Sequence, residues 1–428
     1  MRYTPIDPQL FVENRARLKQ LLPPRSLAVV NANDVLPTNA DGTLGFVQNS
    51  DLFYLTGVDQ EETILMLYPD AQEEKFREML FLRETSEDIA IWEGHKLTKD
   101  EARKRTGIKH VHWLAEFPMI FRGLMCEAER VFLNSNEHKR AQVIVESRDA
   151  RFARQVQEQF PLHEYQRLAR LMHRLRVVKS AFEIELIRKA TALTARGFER
   201  VLKFTRPGVN EMEIEAEFAH EFIRGGGGFA YGPIIASGKN ACVLHYVDND
   251  QVCKKGELLL LDVAASYANY RSDLTRTIPV GGRFSRRQRE VYDAVLRVLR
   301  ASIALAVPGK LPRLWQNEAE ALMEKELLDL GLLKKSQIRK QDPEKPALKK
   351  YFMHGLGHPM GLDVHDVGFM SEPMQEGWVM TVEPGIYIPD EGLAVRLEND
   401  IVVSERGPVD LMAEIPIEAE EIEAAMRR

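Results

Sequence analysis

Short apolar runs alternate with polar, helix-like stretches through the first third of the chain. Residues 26–31 (SLAVVN), 63–68 (TILMLY), 79–82 and 131–133 read as strands, and 98–106 and 140–160 carry helical spacing between them. That alternation predicts an α/β domain built on a central sheet. Residues 164–176 (EYQRLARLMHRLR) predict an amphipathic helix, and 179–203 continue with apolar residues at helical spacing. The boundary falls near residue 170, giving an amino-terminal domain over 1–170 and a second domain over 171–428. Beyond it the texture changes. Helices are expected over 180–204, 211–224, 285–306 and 314–330, with strands near 378–382 and 396–403. Elements in blocks, rather than strict strand–helix alternation, predict an α+β layer architecture.

Composition narrows the class. The 428 residues are 44% hydrophobic and 29% charged, the ordinary globular mix, which excludes collagen-like, disordered and disulfide-scaffold chains. Against 64 Asp+Glu stand 58 Lys+Arg, a formal charge of −6 that is too balanced for a phosphate-backbone binder, so no nucleic-acid partner is expected. Cys126, Cys242 and Cys253 are scattered and form no CxxC pair, which fits a reducing compartment. The amino terminus lacks a signal-like apolar stretch, and the longest apolar runs fall far short of the ~18 residues of a membrane span. A cytoplasmic protein without a membrane partner is expected. Residues 334–350, with seven basic and two acidic side chains and two prolines, predict a solvated loop.

Candidate chemistry begins at 258–279 (LLLLDVAASYANYRSDLTRTIP), where two strand-like segments flank a polar connection and predict a hairpin with Asp262 facing Asp273. Asp262 ends an apolar run, and a buried carboxylate without a partner costs several kcal/mol, so a cation is required. Arg276 or a metal ion would serve. The segment HGLGHPMGLDVHD then places His354, His358 and His365 within twelve residues, and imidazole is both the commonest metal ligand and a proton carrier. His354 and His358 are four apart, as in the HExxH zinc helix. Gly355 stands where that helix needs Glu, Gly357 weakens a helix and Pro359 follows, so a loop and strand are expected instead. Glu383 (VMTVEPGIYI) and Glu398 (AVRLENDIVV) each interrupt an apolar strand-like run. Four acids and a histidine at positions expected to be buried require bound cations, and two divalent metals would satisfy them. Oxygen-rich ligation with one nitrogen favours Mn²⁺, with Co²⁺, Zn²⁺ or Fe²⁺ as the other candidates.

Taken together with LHYVDND at 244–250, these motifs resemble the metallopeptidase family of pita-bread fold, and within it the aminopeptidase P group; QNSDLFYLTG at 48–57 is similar to a segment of the same group's amino-terminal domain. The resemblance implies an α/β amino-terminal domain followed by an α+β pita-bread (creatinase/aminopeptidase) catalytic domain. It implies Asp262, Asp273, His358, Glu383 and Glu398 as ligands to two metal ions, with Asp273 and Glu398 bridging them. His245, His354 and His365 match the histidines lining the substrate site, Arg396 the arginine beside the last ligand, and Glu383 the proton shuttle. Val263, Ala264 and Asn399 depart from the family pattern without removing a ligand.

The implied activity is hydrolysis of the bond between an amino-terminal residue and a following proline, by a hydroxide shared between two metal ions, in a homo-oligomer acting on peptides. His245 or His354 would stabilise the oxyanion, and His365 would hydrogen-bond a peptide carbonyl. A prolidase, restricted to Xaa-Pro dipeptides, is the alternative within the class; a non-catalytic pita-bread peptide-binding module is the alternative outside it. Other signals are weaker. Gly225–Gly228 lacks a following Gly-Lys-Ser/Thr and predicts a flexible loop near the site rather than a phosphate cradle. Tyr231 is either a pocket border or a packed aromatic, Tyr387 lies close to Glu383 in sequence, and the four tryptophans, Trp92, Trp113, Trp315 and Trp378, are expected to be packing residues. No GxSxG elbow is present, and Cys242 has no evident base beside it.

Overall fold

In the computed structural model, which describes residues 2–141 and 144–427, the chain forms two compact units, Thr4–Arg176 and Val177–Arg428, the extreme amino terminus through Tyr3 belonging to the second. In the first unit, α1 (Pro8–Leu21) starts from the Asp7 side chain, which accepts the Gln9 N–H, with Pro8 preset for a first turn. Strand β1 (Ser26–Asn31), α2 (Ser50–Thr56), β2 (Ile64–Leu67), β3 (Glu78–Leu82), α3 (Glu87–Glu93), α4 (Lys99–Thr106), β4 (His110–Trp113), α5 (Phe117–Met125), β5 (Arg130–Leu133), α6 (Arg148–Gln159), β6 (Glu164–Arg167) and α7 (Ala169–Val177) follow. The six strands form one mixed sheet in the order β4-β3-β2-β1-β5-β6. Its inner strands are buried on both faces, which is why they read as continuous apolar runs. One face packs Leu27, Val29, Met66, Met79 and Phe81 against Phe117, Phe121 and Val156, each such burial contributing roughly 1.5–3 kcal/mol.

Three expectations fail in this unit. Residues 164–167 pair with β5 as an edge strand, and the helix begins only at Ala169. Helix α6 starts at Arg148, capped by Ser147, so the helical reading of 140–160 was too long by a turn and more; residues 142–143 lie outside the described residues. Trp92, expected in a core, is 87% exposed beside Ile91 at 77%.

The second unit comprises α8 (Ala181–Phe204), α9 (Glu211–Arg224), β7 (Gly228–Phe229), β8 (Ile234–Ser237), β9 (Leu258–Asp262), β10 (Ala265–Tyr267), β11 (Tyr270–Arg271), β12 (Thr275–Pro279), α10 (Arg286–Ala304), α11 (Pro312–Asp329), α12 (Lys335–Lys340), β13 (Val379–Val382), β14 (Gly385–Ile388), β15 (Leu393–Arg396), β16 (Asn399–Val402), β17 (Val409–Asp410) and α13 (Ala419–Ala425). Helices α8, α9 and α10 each open on a capping box, at Ser180/Glu183, Asn210/Glu213 and Ser285/Gln288. The strands form small antiparallel sheets, β12-β9-β8, β11-β10-β7, β13-β16-β17 and β14-β15. Trp315 and Trp378 are buried here, as expected.

Three readings are corrected in this unit. Gly225–Gly228 is no flexible loop: a Cβ on Gly226 would lie 2.4 Å from the Arg2 carbonyl and one on Gly227 2.2 Å from that of Ser266, so the run lets backbones touch. Residues 334–350 hold α12 and a 3₁₀ turn at Ala347–Lys350 rather than a plain loop. In the β9–β12 hairpin, Asp262 stands opposite Thr275, not Asp273.

Candidate metal centre

Strands β9, β12, β13 and β15 end around one cavity of about 370 Å³, and the chemistry sits at those ends. Asp262 is the last residue of β9; Asp273 precedes β12; Glu383 follows β13; Glu398 lies in the break between β15 and β16. Each carboxylate therefore occupies a point where the ladder stops and the backbone is free to turn its side chain inward. All four line the cavity, with His245, His354, His358, His365 and Arg396. All nine site residues inferred from sequence are thus gathered in one place.

Asp273, His358 and Glu398 are buried, and one potential ligand atom from each lies within 4.8 Å of the others. The imidazole of His358 is oriented by its Nδ1, 3.0 Å from the Pro359 carbonyl, which places Nε2 3.5 Å from Asp273 and 3.7 Å from Glu383. That is the arrangement in which a ligating histidine spends one N–H on a carbonyl and offers the other nitrogen. Gly357 makes this possible: a Cβ there would sit 2.0 Å from the Thr381 carbonyl. The His358 N–H reaches the Thr381 hydroxyl at 3.1 Å, and the Thr381 N–H the His358 carbonyl at 2.9 Å.

Tyr231 joins the other side. Its hydroxyl lies 2.6 Å from an oxygen of Asp262 and 2.6 Å from one of Asp273. One phenol carries one proton, so one contact is a donated hydrogen bond and the other brings two oxygens together, which is favourable only with a proton or cation nearby. The second oxygen of Asp262 accepts Arg396 Nη2 at 2.6 Å. Arg396, and not Arg276, is therefore the cation beside Asp262; Arg276 donates to the carbonyls of Thr275, Glu398 and Pro416. Glu398 accepts the Thr275 hydroxyl at 2.7 Å, and its N–H donates to the Thr275 carbonyl at 3.0 Å.

The electrostatics fit cations. Burial, with the neighbouring carboxylates adding to it, pushes Asp262 and Glu398 above the usual range and lifts Glu383 to about 7. For His358, burial favours the neutral ring, but Asp273 and Glu383 outweigh it and raise the pKa. Four carboxylates held this close repel one another until positive charge is placed among them, and the donor set of oxygens and one imidazole matches hard or borderline divalent ions.

His354 is different. Burial and the Arg396 charge lower it to about 4, so it is neutral near pH 7. Its Nδ1 faces the Gly355 carbonyl at 2.8 Å and so carries the proton, leaving Nε2 to accept from the Tyr387 hydroxyl at 2.8 Å, which in turn accepts Arg396 Nη1 at 2.8 Å. Both ring nitrogens are engaged, so of the two oxyanion donors named from sequence, exposed His245 is the one left open. Tyr387 is fully buried and central to this chain of bonds. Thr275, Thr381 and the bridging geometry of Tyr231 were not legible in sequence, because nothing in local spacing reports which hydroxyl meets which carboxylate.

Residues 185–405 match the model of metallopeptidase family M24, and residues 11–132 that of the aminopeptidase P N-terminal domain. The Xaa-Pro aminopeptidase of Escherichia coli is 34% identical over 437 residues, covering 98% of each chain. Among solved structures, Pseudomonas aeruginosa aminopeptidase PepP superimposes with a TM-score of 0.90 at 32% identity, over 100% of this chain and 99% of that one. The E. coli aminopeptidase P with the inhibitor Pro-Leu gives 0.87 at 34%, over 99% of each. The chain belongs to metallopeptidase family M24, with an aminopeptidase P-type amino-terminal domain ahead of a pita-bread catalytic domain.

Proposed function

We infer that this protein is a metal-dependent Xaa-Pro aminopeptidase, releasing the first residue from peptides whose second residue is proline. The observation that carries the inference is the single cavity in which four carboxylates, four histidines and Arg396 meet, in a chain similar end to end to Xaa-Pro aminopeptidases. Asp262, Asp273, His358, Glu383 and Glu398 would hold two divalent ions, which we assign as Mn²⁺ on the strength of the oxygen-rich donor set. Bound there, the ions supply Lewis acidity at a peptide carbonyl and a water acidic enough to ionise near neutral pH.

The residues do the rest. Glu383 takes up the proton of the attacking water and delivers it to the proline nitrogen as the bond breaks. That nitrogen belongs to a tertiary amide without an N–H, so the ring is recognised by shape rather than by a donor contact. His245 and His365, both exposed at the cavity rim, donate to the peptide carbonyls. Arg396 neutralises Asp262 and, through Tyr387, fixes the tautomer of His354.

A cytoplasmic location is supported by three free cysteines; among the described residues no helix is long and apolar enough to cross a membrane. Self-association into a homo-oligomer is supported by the exposed Ile91–Trp92 pair. The test is amine release from an Xaa-Pro-Yaa tripeptide and the matching Xaa-Pro dipeptide, each with a chelator control. Chelator-sensitive cleavage of the tripeptide is expected. Cleavage of the dipeptide alone would reassign the protein as a prolidase, and no cleavage of either would leave a peptide-binding module.

A further inference from the structure

Lys179 and Asp366 form an ion pair of 3.0 Å in which each side chain is only 1% exposed, and neither lines the cavity. Burying two charges is costly, and well-packed apolar side chains would stabilise such a site as well or better. Both Asp366 oxygens are committed, Oδ2 to the ammonium and Oδ1 to the Val367 N–H at 2.9 Å, while its own N–H donates to the Pro359 carbonyl at 2.8 Å. Gly361 lies against the pair, since a Cβ there would be 2.2 Å from Asp366 Oδ2 and 2.8 Å from Lys179 Cε. Lys179 is fixed in turn by its N–H on the Gly377 carbonyl at 2.9 Å and by standing just before Ser180, the cap of α8.

The start of the loop over 359–368 is tied to the body of the unit by backbone bonds, the Met360 N–H to the Val379 carbonyl at 3.0 Å and the Arg271 N–H to the Gly361 carbonyl at 2.8 Å, and beside His365 the buried Lys179 ammonium ties it again. What that loop presents is His365, the residue before Asp366, exposed and with its ring 4.3 Å from that of His358. The place of that imidazole depends on how its backbone is held. We propose that the Lys179–Asp366 ion pair is a positioning device that holds His365 against the peptide carbonyl, an inference that rests on reading the cavity as a peptidase site. Lys179 and Asp366 touch no reacting atom; they act through the loop. A misplacement of about 1 Å at such a distance can cost roughly 10²-fold in rate.

A double-mutant cycle tests this. The wild type, Lys179→Met, His365→Ala and the double variant are assayed on an Xaa-Pro-Yaa peptide with saturating Mn²⁺, with kcat and KM separated, bound metal quantified and a thermal melt run on each. Lys179→Met should lower kcat by about 10- to 100-fold with metal content unchanged, and by no more than about 2-fold once His365 is absent. Equal losses with and without His365, or no loss at all, would overturn the proposal. A His365→Ala enzyme with wild-type rates would instead overturn the underlying reading of His365, a distinct result. If Lys179→Met does not fold, Asp366→Asn completes the same cycle, because it keeps an oxygen for the Val367 N–H and removes only the charge.

Discussion

Glu383 allows the charge economy of the centre to be measured without any substrate. Its carboxyl is largely buried and is lifted from 4.5 to about 7, first by burial and then by Asp273 and Asp262, with His358 and Arg396 opposing. Folded and unfolded states thus bind its proton differently over a window of about 2.5 units, and each unit is worth about 1.36 kcal/mol. The sign follows from the direction. A carboxyl raised on folding favours the folded state fully below pH 4.5, and that contribution is lost as pH rises through about 7. With metal removed by chelator, the wild type should therefore lose about 2.5 kcal/mol relative to Glu383→Gln between pH 5 and pH 8, because glutamine keeps the shape of the protonated acid at every pH. Asp149, lifted to about 6 by its own burial, tilts stability the same way but is common to both proteins and cancels in the comparison. The assay is urea unfolding in matched buffers at four or five pH values. A difference that stays flat, or that grows in favour of the wild type, would refute the claim that Glu383 is held protonated by its surroundings. Adding Mn²⁺ should remove the deficit progressively as pH rises, since ligands must lose their protons before they bind.

Three other outcomes follow from the same geometry. Arg396→Lys keeps a charge but cannot reach Asp262, Tyr387 and Thr275 with one ammonium, and should cost about 2–4 kcal/mol in urea unfolding. Tyr231→Phe removes the hydroxyl shared by Asp262 and Asp273 and should weaken Mn²⁺ binding about 10-fold in a competitive titration. Gly357→Ala sets a methyl 2.0 Å from the Thr381 carbonyl, so the His358 loop must shift, and calorimetry should show Mn²⁺ binding largely abolished.

The site residues were legible because each breaks a pattern: Asp262 ends four leucines, and Glu383 and Glu398 interrupt apolar runs where a charge is otherwise expensive. Which cation answers Asp262 was not legible. Arg276 is fourteen residues away in sequence and Arg396 is in another strand pair, and only the meeting of β9, β12 and β15 decides between them. The facing of Asp262 and Asp273 failed for a related reason: register depends on where the hairpin turns, and the short pair β10–β11 takes up the connection and shifts Thr275 opposite Asp262. Residues 164–167 read as helix because the helical period of the following residues was extended backwards over a polar edge strand that shows no alternation of its own.

Glu398 reaches its place by bonding to Thr275 and Arg276, partners more than 120 residues earlier in the chain. Such pairing cannot form while the protein is being made until almost all of it has left the ribosome, and the long loops to be closed make this assembly slow compared with the local hairpin of β9 and β12. A chain made only as far as the β9–β12 hairpin therefore offers Asp262 and Asp273 but neither His358 nor the glutamates, and has no complete cage with which to trap an ion. Metal selection is deferred to the finished fold, where geometry as well as affinity can discriminate.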